Sequence, residues 1–156
     1  MTVRKLPYYL AKLSTVLWVG GTWAVGYIVV PVLFRTLPDH QLAGVLAGKM
    51  FAWMGYVGIL CAIYLLAYQF LQLGGTAWKS QYFHLVASML LILLVILCGI
   101  QPIMADLKSQ AMPLDVMQST LATKFKALHG LSSILYLLQS LLGVAIVLNP
   151  VPIKKI

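Results

Sequence analysis

The sequence predicts an all-α membrane protein, a four-transmembrane-helix bundle, and three observations predict it. Of 156 residues, 62% are hydrophobic and only 9% charged, where an ordinary soluble domain carries about 25% charged residues. Mean hydropathy is +0.94. The few charges leave four uncharged runs of 22 (13–34), 29 (50–78), 26 (80–105) and 27 (127–153) residues. A helix needs roughly 20 apolar residues to cross a hydrocarbon core of about 30 Å, so each run spans once and none spans twice. Residues 1–156 then make one domain, with spans at about 13–34, 50–73, 82–102 and 128–148.

The first span follows Leu6-Pro7 and carries Gly20, Gly21, Ala24 and Gly26, small residues that let helices approach closely. A signal peptide would have a shorter apolar region and a small-residue cleavage site, so this helix is read as retained. Pro31 loosens its last turn, and Leu37-Pro38-Asp39 reads as a stop followed by a start, with Asp39 as cap of the second helix. From Asp39 to Leu73 is about 52 Å of helix, which exceeds the bilayer core by several turns. Its lead-in holds Gly44 and Gly48 as a GxxxG pair beside Ala43 and Ala47, a close-packing surface outside the membrane. Leu73-Gly74-Gly75 supplies the stop.

Trp78, Lys79 and Tyr82 form an interfacial connection. The third helix runs from about Gln81 to Gln101, and Pro102 marks its exit. In the connection that follows, Met117, Leu121, Phe125 and Leu128 repeat at helical spacing from Asp115 onward, an amphipathic lead-in. The fourth helix, like the second, is therefore expected to project beyond the membrane face that carries the first and third connections. This is face B; the termini and the Trp78 turn share face A. Gly130 allows close approach where the fourth span enters the bilayer.

The balance of 11 Lys+Arg against 3 Asp+Glu, a formal charge of +8, could suggest nucleic acid. The bases, however, are scattered at span ends and never gather into a run or alternate with aromatics, so membrane lipids are the expected partners. Face A carries Arg4, Lys5, Lys12, Lys79, Lys154 and Lys155, against Arg35, Lys49, Lys108, Lys124 and Lys126 on face B. Six against five weakly favours both termini in the cytoplasm. Cys61 and Cys98 fall inside spans at different depths and read as packing residues.

Two stretches are recognisable: Pro31-Val32-Leu33-Phe34-Arg35-Thr36-Leu37-Pro38-Asp39-His40, continuing to Gly48-Lys49-Met50-Phe51, and Lys124-Phe125-Lys126-Ala127-Leu128-His129-Gly130-Leu131-Ser132-Ser133. They resemble the transmembrane protein 205-like family, known in bacteria as a membrane domain of unknown function. The resemblance implies a four-helix integral membrane protein, distantly similar to the copper-resistance membrane proteins and to haem-pathway membrane oxidases. It supplies no reaction and no catalytic residues.

The local chemistry is correspondingly sparse. No nucleophile motif, phosphate loop, zinc spacing or intramembrane carboxylate relay is present. His129 enters the membrane with the fourth span, where an ionisable group is a functional hypothesis by default; hydration or a bond to a neighbouring carbonyl explains it equally. Ser132 and Ser133 read as interhelical donors. His84 starts the third helix on face A, a membrane thickness from His129, so the two cannot share one haem. His40 stands roughly 14 Å outside the second apolar run. Met50, Met54 and Met104 fall near face B with His129, and thioethers with imidazole suit Cu(I). Methionine also fills irregular apolar gaps.

The expected function is that of a non-enzymatic accessory or structural subunit, packing against other membrane proteins or itself, with no cofactor. Gly20, Gly21, Ala24, Gly44, Gly48 and Gly130 are its packing residues. The alternative is a copper or haem protein using His129 with Met50, Met54 or Met104.

Overall fold

A computed structural model describes residues 5–149 and residue 151. Four long helices follow one another: α1, Lys5–Thr36; α2, His40–Leu73; α3, Gln81–Ala111; and α4, Ala122–Leu148. Each is long and apolar enough to span a membrane, and no strand occurs among the described residues. Each helix packs on its neighbour in sequence, and α4 closes the ring against α1. Of the face A cations, Arg4, Lys154 and Lys155 lie outside the described residues.

The caps form where the sequence places them. The Asp39 carboxylate accepts hydrogen bonds from the backbone N–H groups of Gln41 (2.8 Å) and Leu42 (3.1 Å), satisfying two donors the first turn leaves open. Helix α2 ends at Gly74, whose φ of +56° suits glycine. A short 3-10 turn, Gly74–Lys79, then leads into α3. There Trp78, Phe70 and Phe83 close on one another, with ring centroids 4.7 to 5.5 Å apart.

Helix α3 differs from the expectation. It does not end at Pro102 but continues to Ala111, because the turn before the proline widens. Val95–Ile100 is π-helical, and the Gln101 N–H reaches back five residues to the Ile96 carbonyl. The wide turn makes room for a ring that would otherwise collide with the preceding turn, and it absorbs the missing N–H. Helix α1 uses the same device before Pro31: Val25–Val29 is π-helical, and the Val30 N–H bonds the Val25 carbonyl.

The part that stands beyond face B is also different. Helix α4 starts only at Ala122, because residues 112–121 are spent in turns: Asp115 accepts from the Met117 N–H (2.7 Å), and Ser119 Oγ accepts from the Leu121 N–H (3.1 Å). The start of α2 lies against the end of α1, with Phe34 beside Gly44, and the Lys108 side chain of α3 reaches the same glycine. A Cβ added to Gly44 would lie 3.7 Å from Lys108 Nζ. Leu121, Phe125 and Leu128 of the expected amphipathic lead-in do pack, on Leu107, Ala111 and Val116; Met117 is exposed.

One stretch of the chain, residues 38–60, shares a pattern with another, residues 113–135. At a spacing of 75 residues Pro38 matches Pro113, and Leu46, Ala47, Lys49, Ala52, Gly55, Ile59 and Leu60 match Leu121, Ala122, Lys124, Ala127, Gly130, Ile134 and Leu135. Pro31 and Pro102, each after a π-helical turn, are 71 residues apart, so α1 and α3 share a device and α2 and α4 a stretch of pattern without one common register.

Candidate functional site

At face B, His129 is exposed and stacks on Phe125, with ring centroids 6.1 Å apart and planes 7° from parallel. Lys108 Nζ lies 5.5 Å from the centroid of the same Phe125 ring, a cation–π geometry. Ser132 and Ser133 are not interhelical donors: both hydroxyls donate to the His129 carbonyl, at 2.9 and 2.8 Å, within their own helix. Serine in a helix readily bonds back to the preceding turn. The other imidazoles also lie on aromatics, His40 against Phe34 and His84 against Phe83.

The methionines named with His129 take different places. Met50 is exposed. Met54 is half-buried against Gly21, where a Cβ would overlap its sulfur. Met104 is half-buried on α3. Among the described residues, no group of three or more His, Cys, Asp or Glu side chains is placed to hold a metal ion. Both cysteines are free, Cys61 buried and Cys98 exposed.

The small residues divide into two sets. Gly21 takes Met54, and Gly44 faces Lys108 and Phe34; Ala24 is half-buried. Ala43 and Ala47, not the glycines beside them, point into the bundle, at 0% and 5% exposure. Gly20, Gly48, Gly99 and Gly130 face outward with no heavy atom within 4 Å of an added Cβ. Close approaches are also made at glycines that the pattern did not single out. At Gly58 a Cβ would stand 2.6 Å from Trp18 Nε1 and 2.9 Å from Leu93 Cδ2, and at Gly143 it would stand 3.0 Å from Val19 Cγ1. Gly55 receives Leu93 and Leu97, whereas its counterpart Gly130 is open. The shared pattern is the signal that could have drawn attention to Gly55.

The polar chemistry gathers on the α1–α4 seam. Tyr136 donates to the Thr22 carbonyl, Tyr27 donates to Ser140 Oγ at 3.0 Å, and Trp23 Nε1 donates to the Ser140 carbonyl at 3.3 Å. Two cavities open on the same seam. One, of about 390 Å³, is lined by Trp23, Tyr27, Leu137, Ser140 and Leu141. The other, of about 290 Å³, takes Tyr8, Lys12, Thr15 and Val16 from α1, with Ile146, Val147, Asn149 and Val151 opposite. Inside the bundle Thr15 Oγ1 lies 2.8 Å from Tyr82 Oη.

Residues 13–113 match the family described as Domain of unknown function (DUF4149). The chain belongs to that family. No curated protein and no solved structure matches it. The DUF4149 match takes in the first of the two recognisable stretches, Pro31 to Phe51, and stops before the second. The match assigns no reaction, and the reading as a membrane protein rests on the four long apolar helices.

Proposed function

We propose that this DUF4149 protein is a non-catalytic subunit of the bacterial cytoplasmic membrane, with both termini in the cytoplasm, that packs against another membrane protein or a second copy of itself. Its kinship to the transmembrane protein 205-like family is part of the same proposal and rests on the Pro31–Phe51 and Lys124–Ser133 stretches. One observation carries the subunit reading: Gly48, Gly99 and Gly130 face outward with nothing against them. A glycine costs about 1 kcal/mol relative to alanine in a helix, and in a bilayer it is repaid where a second helix backbone comes close. The copper or haem alternative has less support, since Met50, Met54 and His129 each engage different surroundings.

The test is cross-linking in native membranes, with cysteine placed singly at Gly48, Gly99 and Gly130 in a background lacking Cys61 and Cys98. A specific cross-link at one of these positions, absent from a control at exposed Leu71, is expected. A protein that gives none, and that purifies in mild detergent as a monodisperse monomer without a companion, sinks the reading.

A further inference from the structure

The two cavities of the α1–α4 seam lie on one stripe. On α1, Lys12 and Trp23 are eleven residues apart, and at 100° per residue they return to within about 20° of the same direction. Between them Gly20 has no heavy atom within 4 Å of an added Cβ. The close approach of Val19 to Gly143 makes the floor. The α2–α3 seam is filled instead: Leu93 and Leu97 sit on Gly55, and Leu93 with Trp18 on Gly58. Of these two seams, α2–α3 is filled and α1–α4 carries both cavities.

The α1–α4 furrow is amphipathic along its length. Its face A end holds the Lys12 ammonium, 4.7 Å from the Tyr8 ring centroid, with Asn149 across from it. Lys12 immediately precedes the first uncharged run, so it stands at headgroup depth. The inner end is apolar, because the Tyr27 hydroxyl donates to Ser140 Oγ, which in turn donates to the Tyr136 carbonyl. From Lys12 to Trp23 is about 16 Å of helix, close to half of a hydrocarbon core of about 30 Å. That is the depth of one leaflet. The two cavities together reach the size range of small-molecule sites, roughly 300–1,000 Å³.

We propose that this furrow holds an anionic phospholipid of the face A leaflet, its phosphate on Lys12 and one acyl chain running past Gly20 to Trp23 and Tyr27. The charge of Lys12 selects the anionic headgroup, and the missing side chain at Gly20 admits the chain. This site does not depend on the subunit role proposed above, which uses Gly48, Gly99 and Gly130.

The test is native mass spectrometry of the delipidated protein in a neutral detergent. Added phosphatidylglycerol, phosphatidylcholine of the same chains and inorganic phosphate are compared. The expected result is a one-to-one phosphatidylglycerol adduct about fivefold stronger than the phosphatidylcholine adduct, that preference disappearing in Lys12→Gln. It survives in Lys79→Gln, a face A cation outside the furrow. Gly20→Leu, a substitution into open space that leaves the fold intact by circular dichroism, weakens both lipid adducts. Equal retention of the two lipids with no effect of Lys12→Gln would overturn the proposal, as would displacement of phosphatidylglycerol by inorganic phosphate at equal concentration. A disulfide-linked dimer through Leu137→Cys, formed in native membranes, would give the furrow to a second copy and overturn it likewise.

Discussion

Tyr136 of α4 donates its hydroxyl to the carbonyl of Thr22 on α1, and its ring lies where a side chain on Gly26 would have to go. The contact sits at the widened turn Val25–Val29. Pro31 has no N–H to give to the preceding turn, the helix widens there, and an aromatic ring from the next helix enters beside a glycine. Local sequence and tertiary packing thus meet at one place.

The first prediction follows from that contact. Gly26→Leu forces Tyr136 aside, and overpacking of this kind costs about 1–3 kcal/mol; a clear loss of thermal stability in detergent is expected. Tyr136→Phe keeps the ring and removes only the hydrogen bond, worth on average about 0.6 kcal/mol between membrane helices. A Gly26→Leu protein that melts with the parent would show that the ring does not occupy this place.

A second comparison separates interior from exterior glycines. Gly58→Ala sets a methyl group 2.6 Å from Trp18 Nε1 and should destabilise the bundle, whereas Gly48→Ala and Gly130→Ala, both into open space, should leave melting unchanged or slightly improved through helix propensity. If either exterior variant weakens the cross-linking of the native assembly without altering melting, its glycine works between molecules. Gly58→Ala melting like the parent would contradict the Trp18 contact.

How far the sequence speaks for itself differs from element to element. Four spans were legible because a low-dielectric core tolerates few charges, so the charges themselves mark the boundaries. Asp39 and Gly74 were legible because capping and a positive φ are local requirements. The path of α3 through Pro102 was not, since a proline ends a helix or bends it according to whether the preceding turn can widen. Nor could spacing say which side of a GxxxG helix turns inward: Ala43 and Ala47 do, and Gly48 does not. The α1–α4 furrow depends on Val19 meeting Gly143, residues more than a hundred positions apart, and no local pattern reports that distance.

The third prediction concerns the start of α2 beyond face B. Asp39→Ala removes the acceptor for the Gln41 and Leu42 N–H groups, a loss of about 1 kcal/mol for an N-cap. Because this segment precedes the uncharged run that begins at Met50, the effect should appear as faster hydrogen exchange across Gln41 to Val45, with exchange in the span itself unaltered. Asp39→Asn, which retains a capping oxygen, should restore most of the protection. Unchanged exchange in Asp39→Ala would mean that packing of Ala43 and Ala47 alone holds the first turn.

The last prediction addresses metal. A Cu(I) site needs soft donors converging within bonding reach, and the side chains named for it are engaged elsewhere: Met54 against Gly21, Met50 outward, His129 stacked on Phe125. Lys108 adds a positive charge to the face of the same Phe125 ring, which disfavours a second cation nearby. Protein purified without chelator should therefore contain no stoichiometric copper and show no Soret band. His129→Ala should lose only the stacking, worth about 0.5–1.5 kcal/mol if it resembles other aromatic pairs, and Met54→Leu should melt within a few degrees of the parent, since the exchange conserves volume. Copper bound one-to-one and lost in both variants would bring Met54 and His129, which stand 75 residues apart, into a single site and displace the non-catalytic subunit reading.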